Sequence, residues 1–305
     1  VTFPEFYQAD NVGTLYTPSA NAAITSGTHA DVAPADEDQK RVALLLIDTQ
    51  VDFIHEDGAL SVPGAIDDTR RTIEWLFNNT GRITRIYASL DSHLPIQIFS
   101  PAWWQNADGQ HPDPYTIITQ EQVSAGAWQP LYQADWSREY VERLEENAKK
   151  QLMIWPYHTL IGTPGHNITP ALYEAITYHA AARKTQPRYI EKGTIPYTEH
   201  YSLFEPEVKS EALKGESVNT DLLEELAEYD TIYVAGQAKS HCVLESVGSM
   251  MHYFDDRLEV IQKIHILEDA MSSVQSPDVD FEQIATDTFA RFAEHGLNLT
   301  NTREA

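Results

Sequence analysis

Residues 42–47 (VALLLI) form an unbroken apolar run that stops at Asp48. A short run of this kind is what a strand covered on both faces of a parallel sheet looks like. The pattern repeats: 85–90 (RIYASL) stops at Asp91, 188–191 (RYIE) stops at Lys192, and 231–235 (TIYVA) leads into a tight turn at 236–240 (GQAKS). Residues 258–261 (LEVI) are read as a further strand, with 265–267 (HIL) as its extension and 152–154 (LMI) as a short one. Between these runs the apolar positions recur at helical spacing. Helices are predicted over 67–79, with Ile73, Leu76 and Phe77 on one face, and over 169–184, 219–229, 241–254 and 281–295. Asn219 or Thr220 is the expected cap of the third of these. Strands alternating with helices predict an α/β fold with a mostly parallel central sheet.

Two stretches stand outside this alternation. Residues 1–40 are polar and rich in Ala, Thr, Asp and Pro, and read as an extended N-terminal arm ahead of one domain over 41–305. Residues 94–150 are irregular, rich in Trp, Pro and Gln, and close with a charged helix over 137–150. That is long for a strand-to-helix connection, so it reads as an insertion that lids or walls a site. The chain shows no internal repeat and no pattern for a coherent second core.

Charge narrows the function. Lys and Arg number 21 against 46 Asp and Glu, a net charge of −25. Nucleic acid and anionic membranes are therefore poor partners, because phosphate contacts need clustered Lys and Arg. One cysteine leaves no intramolecular disulfide and no Cys-based zinc cluster, which fits a reducing compartment. No apolar run approaches the roughly 20 residues that span a bilayer. The N-terminal stretch VTFPEFYQADNVGTLYTPSA has neither a basic nor an apolar leader segment. A cytoplasmic protein is the expectation.

Open parallel sheets bind ligands outside the carboxyl ends of their strands. Asp48, Asp91 and Lys192 stand at such ends, and Cys242 lies just past the TIYVAG strand, where the next helix begins. A helix N-terminus and a nearby ammonium favour thiolate over thiol, and a carboxylate within reach accepts the thiol proton. Each residue also has a plainer reading: a lone Cys as a small buried hydrophobe, an Asp after a strand as a turn residue, a Lys there as a solvated one.

The segments LLLIDTQVDF (44–53), LDSH (90–93), IWPYHTLIGTPG (154–165), EKGTIPYTEHYSLF (191–204) and VAGQAKSHCV (234–243) together resemble the isochorismatase-like cysteine hydrolases, and the nicotinamidase branch most closely. They stand in the family's order, and ILEDAMSS (266–273) looks like the segment that follows its last strand. The resemblance implies a three-layer α/β/α, Rossmann-like fold and a catalytic triad of Asp48 as base, Lys192 as cation and Cys242 as nucleophile. It implies an oxyanion site made by the backbone N–H groups of Ala238 and Cys242, with a cis peptide at Gln237–Ala238. It implies a divalent metal (Zn, Fe or Mn) on Asp91, His93 and His158, and no organic cofactor. Phe53, Trp155 and Tyr201 match the aromatic walls of the substrate site, and Gln50 is expected beside them.

The implied activity is hydrolysis of a small amide such as nicotinamide to acid and ammonia through a thioester. The implied assembly is a homo-oligomer. The alternatives are another hydrolysis within the superfamily, of an N-carbamoyl or ureide compound or of the isochorismatase type, or a non-catalytic binding protein on the same fold. Three departures from the family's pattern stand out, the first bearing on the metal and the other two on the substrate. The stretch LPIQIF (94–99) lacks the further His that many relatives carry after DxH. AKSHC (238–242) puts Lys239, Ser240 and His241 beside the nucleophile. The insertion adds Trp103, Trp104, Trp128 and Trp136. His111 and His166 are other imidazoles near these segments, and both are expected in ordinary loop positions.

Overall fold

The computed structural model describes residues 3–146, 150–209, 218–276 and 279–305. Its core is a six-stranded sheet whose strands are all parallel. In chain order they are β1 (Val42–Ile47), β2 (Arg85–Asp91), β3 (Arg188–Lys192), β4 (Thr231–Gly236), β5 (Ile264–Leu267) and β6 (Asn298–Thr300). Their spatial order is β3-β2-β1-β4-β5-β6. The chain winds outward from β1 to one edge, returns to its other side and winds outward again. The direction reverses between β1 and β4, which pair in register from Val42↔Thr231 to Ile47↔Gly236. A crevice opens at such a switch point in doubly wound sheets.

Why the 42–47 run is apolar throughout follows from the layers. Leu44 and Leu46 pack on one face with Ile73, Leu76, Leu172 and Ile176. Ala43, Leu45 and Ile47 pack on the other with Leu222, Leu226, Val247 and Met250. The first face is covered by α2 (Ala65–Asn79) and α4 (Pro170–Arg183), the second by α5 (Thr220–Ala227), α6 (Leu244–Tyr253) and α7 (Phe281–Glu294). These make the three layers the resemblance implied.

Residues 1–40 are not extended throughout. Helix α1 (Ala20–Thr28) lies on α4, close enough that a Cβ at Gly27 would meet the Tyr178 carbonyl at 2.4 Å. Ahead of it, Phe3, Phe6 and Tyr7 pack their rings around Phe77 and Tyr178. Composition hid this, because a few aromatic side chains carry the packing of an otherwise polar segment.

Residues 258–261, read as a strand, form a helical turn closed by Val260 N–H on the Arg257 carbonyl at 2.8 Å. The strand is the stretch read as its extension, Ile264–Leu267. Val260 and Ile261 are buried in the core either way, so a four-residue apolar run does not distinguish the two conformations. The third strand-like run, Leu152–Met153, pairs antiparallel with Ile117–Ile118 outside the main sheet.

Within the insertion, α3 (Ala134–Glu146) is the charged helix read over 137–150, of which 147–149 lie outside the described residues. The insertion does carry a core. Trp103, Trp104, Ile118, Tyr140, Val141 and Leu144 cluster there, and the cluster runs on into Phe53, Trp155 and Ala238. It is thus built onto the mouth of the switch point rather than beside it. No described helix is long and apolar enough to cross a membrane.

Candidate active site

Three strand ends and one turn deliver the polar residues. Asp48 follows β1 with φ 46°, a left-handed conformation that few non-glycine residues adopt and that recurs at functional sites. Ser89 fixes it: the Asp48 N–H donates to Ser89 Oγ at 2.9 Å, and the Ser89 hydroxyl donates to Asp48 Oδ1 at 2.5 Å. Gly236 closes β4 with φ 128°, and a Cβ there would lie 2.0 Å from the Ile47 carbonyl oxygen, so β1 and β4 can meet only over glycine. The turn beyond it contains the cis Gln237–Ala238 peptide that the sequence implied. Gln237 ties this turn down, donating to Asp68 Oδ2 at 2.9 Å and accepting from the Ser272 N–H at 3.2 Å. Residues Lys239–Val243 then form a single π-type turn before α6, which presents Cys242 to the crevice. Turns of this type are frequent at functional sites.

Lys192 joins the parts. Its ammonium lies 2.9 Å from Asp48 Oδ2, 2.9 Å from Asp91 Oδ1 and 3.6 Å from Cys242 Sγ, and it donates to the His200 carbonyl at 2.9 Å. All four side chains are buried. Against the cost of burial, Asp48 and Asp91 hold the ammonium well above its ordinary pKa. Burial pushes the Asp48 carboxyl up; Lys192 pulls it back and Asp91 adds to the rise. The thiol departs from expectation. Burial, with Asp48 and Asp91 adding to it, outweighs Lys192 and raises the Cys242 pKa well above its ordinary value. The shift is toward the thiol, opposite in direction to what a helix N-terminus and a lysine suggested. The Asp48 carboxylate lies within hydrogen-bond reach of this sulfur.

Beside this cluster Asp91 Oδ2 lies 2.8 Å from His93 Nε2 and 3.6 Å from His158 Nε2. The loops carrying the two histidines are laced together by His93 N–H on the Thr159 carbonyl at 3.1 Å and Ile161 N–H on the His93 carbonyl at 3.0 Å. Each imidazole turns its Nδ1 to a backbone carbonyl, Gly193 O at 3.3 Å for His93 and Pro156 O at 2.7 Å for His158. A carbonyl only accepts, so both Nδ1 atoms carry hydrogen and both Nε2 atoms aim at the carboxylate. Acceptors that close need positive charge between them, either a proton on an imidazole or a cation held by all three. Ligand atoms of Asp91, His93 and His158 lie within 4.8 Å of one another. The donor set, with each ring oriented through its other nitrogen, fits a divalent metal. Gly193, at φ 77°, makes room: a Cβ there would sit 2.7 Å from Asp91 Oδ1.

A cavity of about 40 Å³ lies over both groups. Phe53, Phe99, Trp155, Tyr201 and His241 supply ring walls, and Asp91, His93, His158, Ala238 and Cys242 line its polar side. The Ala238 N–H has no hydrogen-bond partner among the described residues.

Gln50 is not part of this lining. Its amide nitrogen donates to the Asp91 and His166 carbonyls, each at 2.8 Å, and its oxygen accepts the Asp91 N–H at 2.8 Å. Its place is behind Asp91, bracing the backbone, because a buried amide must satisfy all its polar atoms. Gln97, in the stretch without the further His, likewise braces Gly193 O at 2.8 Å. His166 bonds Ser92 Oγ at 2.8 Å, and His111 bonds the Trp104 carbonyl at 2.7 Å away from the cavity.

Three pocket residues escaped the sequence reading. Phe99 rests on His93, ring centroids 4.8 Å apart. His200 lines the cavity with neither ring nitrogen partnered among the described residues. Glu199 is fully buried in the wall. The two adjacent titratable residues in TEHYS, so soon after Lys192, were the available signal.

A doubly wound α/β sheet with Cys, Lys and Asp converging at its switch point, beside an Asp-His-His group, defines the class. Its fold is that of the nicotinamidases. The yeast nicotinamidase bound to the inhibitor nicotinaldehyde superposes with a TM-score of 0.57 at 16% identity, over 85% of this chain and 99% of that one. The Acinetobacter baumanii nicotinamidase/pyrazinamidase gives 0.54 at 18% identity, over 88% and 99%. A protein from L. infantum in complex with nicotinate gives 0.50 at 16%, over 87% and 95%. No protein-family model matches the chain, and no curated protein matches it in sequence.

Proposed function

We propose that this protein is a cysteine-dependent amidohydrolase acting on a small flat amide, such as nicotinamide, to give the acid and ammonia. One observation carries the reading: a single ammonium, Lys192 Nζ, lies 2.9 Å from Asp48 Oδ2 and 3.6 Å from Cys242 Sγ under an aromatic cavity. As sulfur attacks the amide carbonyl carbon, the thiol proton passes to Asp48, whose raised pKa suits it to accept one. The oxygen of the tetrahedral adduct takes the N–H groups of Ala238 and Cys242. The carbon–nitrogen bond then breaks, Asp48 returns the proton to nitrogen, and ammonia leaves a thioester on Cys242. Water attacks the thioester with its proton going to Asp48; the carbon–sulfur bond breaks and the sulfur is reprotonated. Lys192 holds the Asp48 carboxylate in place and offsets negative charge at sulfur.

Asp91, His93 and His158 would hold a divalent metal, which supplies open positions for water or a ring nitrogen. Phe53, Trp155 and Tyr201 enclose the ring of the substrate.

The test is ammonia release from nicotinamide, pyrazinamide, N-carbamoyl amino acids and ureides, with intact-mass detection of an acyl adduct. Cys242→Ala is expected to fold normally, form no adduct and lose activity by a factor of about 10⁴ or more. Appreciable turnover in that variant would remove the covalent route. Release confined to carbamoyl compounds would replace the substrate class.

A further inference from the structure

The wall of the cavity contains a carboxyl that the reaction above leaves unused. Glu199 is 2% exposed, and its direct side-chain partners are neutral. Oε1 accepts from the Trp155 indole N–H at 3.0 Å and from the Tyr201 hydroxyl at 2.5 Å; Oε2 accepts from the Tyr140 hydroxyl at 3.4 Å. The Trp155 N–H is shared with the Tyr201 oxygen at 2.9 Å, so the three groups form a closed set. The Glu199 N–H donates to the Tyr140 oxygen at 3.0 Å, which ties the set to α3 of the insertion. The two aromatic side chains held this way both line the cavity, and both pack edge-on to His241 with centroids 5.5 Å away. Burying a carboxyl among neutral donors is costly, and an apolar residue would pack as well. What the carboxyl adds is a fixed geometry between an indole and a phenol.

We propose that Glu199 is a positioning residue that sets the width of the substrate slot, by holding Trp155 and Tyr201 on one carboxylate oxygen so that the slot takes a flat ring amide. The assignment to a ring amide rests on the proposed function; the bracket itself does not. The bracket is tightest when Glu199 is ionised, since a carboxylate accepts stronger hydrogen bonds than a carboxylic acid.

Burial lifts this carboxyl to about 7; the Tyr201 and Trp155 hydrogen bonds oppose the rise, Glu207 adds to it, and the charge of Lys150, not in contact, opposes it. Of the other groups around the wall, His200 and His241 are pushed down to about 4 by burial and stay neutral. Tyr140 and Tyr201 are raised well above the usual phenol range. Lys150 is committed to Glu207 at 2.7 Å and Glu245 at 2.6 Å and lies 5.4 Å from the Tyr201 ring centre. Burial also raises Glu207, and Lys150 opposes that rise.

The experiment compares the wild type with Glu199→Gln and Glu199→Ala between pH 6 and 8. For the wild type, KM for nicotinamide is expected to rise as pH falls through the Glu199 midpoint, with kcat nearly level. Glu199→Ala is expected to raise KM about tenfold at pH 8, the loss of one or two hydrogen bonds, with little change in kcat. Glu199→Gln keeps an acceptor oxygen, so it is expected to restore KM at pH 8 and to flatten its pH dependence. Tryptophan emission, assigned with Trp155→Phe, reads the bracket without turnover: a midpoint near 7 in the wild type and none in Glu199→Gln. An emission midpoint that survives Glu199→Gln, or a fall in kcat at constant KM, overturns the bracket. An inactive wild type that keeps the emission midpoint overturns the proposed reaction and leaves the bracket standing.

Discussion

The floor and the wall of the cavity bury acids in opposite ways. On the floor Asp48 and Asp91 share one lysine, 2.9 Å from each. On the wall Glu199 has two neutral donors on one oxygen and no cation in contact. Burial is comparable, yet Asp91 is held well below the usual carboxylate range by Lys192 and the facing imidazoles, whereas Glu199 is lifted to about 7. Compensation by charge, and not depth alone, separates Asp91 from Glu199, while Asp48 beside the same lysine is still pushed up by burial and by Asp91.

Removing charge from each side sharpens that contrast. The largest effect is expected from Lys192→Met, which leaves Asp48 and Asp91 buried without their cation. Breaking such a set costs about 3–5 kcal/mol, read as a lower urea midpoint, and turnover should vanish with it. Next is His158→Ala, expected to lower the affinity for added Zn²⁺ at least 100-fold by calorimetric titration, since one of three ligands is lost. Unchanged zinc affinity would make Asp91, His93 and His158 a purely structural group.

The wall should answer with the opposite sign. A carboxyl whose pKa rises from 4.5 to about 7 on folding binds its proton more tightly in the native state. Its contribution is full below pH 4.5 and is lost as pH rises through 7, to the extent of about 3 kcal/mol. Glu199→Gln lacks this loss, so its stability relative to wild type should grow between pH 5 and 8 by denaturant unfolding. A difference that is flat with pH would place the Glu199 pKa near its ordinary value. The smallest effect is expected from Tyr140→Phe, which removes a long bond to Oε2 and an acceptor for the Glu199 N–H, about 1 kcal/mol in the same assay.

How far the sequence reached can be seen strand by strand. β1, β2 and β4 were legible because a parallel strand buried on both faces is apolar at nearly every position, whereas the edge strand β3, with Tyr189 and Glu191 exposed, is only partly apolar. The 258–261 run misled because a short apolar stretch has no period of its own. The short β6 (NLT) gave no apolar run at all. Asp91, His93 and His158 were readable as a set only through their motifs, since 65 residues of sequence separate the two histidines. Gln50 was expected beside the aromatic walls and instead braces the Asp91 backbone, because a motif gives the neighbourhood of an amide but not the direction it faces.

Sequence by itself determined the alternation of strands and helices, the residues at the strand ends and the lone sulfur near them, because alternation and strand length are local properties of the chain. Only the tertiary structure decided that burial pushes the Cys242 thiol up, that Gln50 braces backbone, and that Glu199 has neutral donors and no cation in contact among the described residues. Those outcomes depend on how much water each group loses and which charges face it, and both are set by residues far apart in the chain.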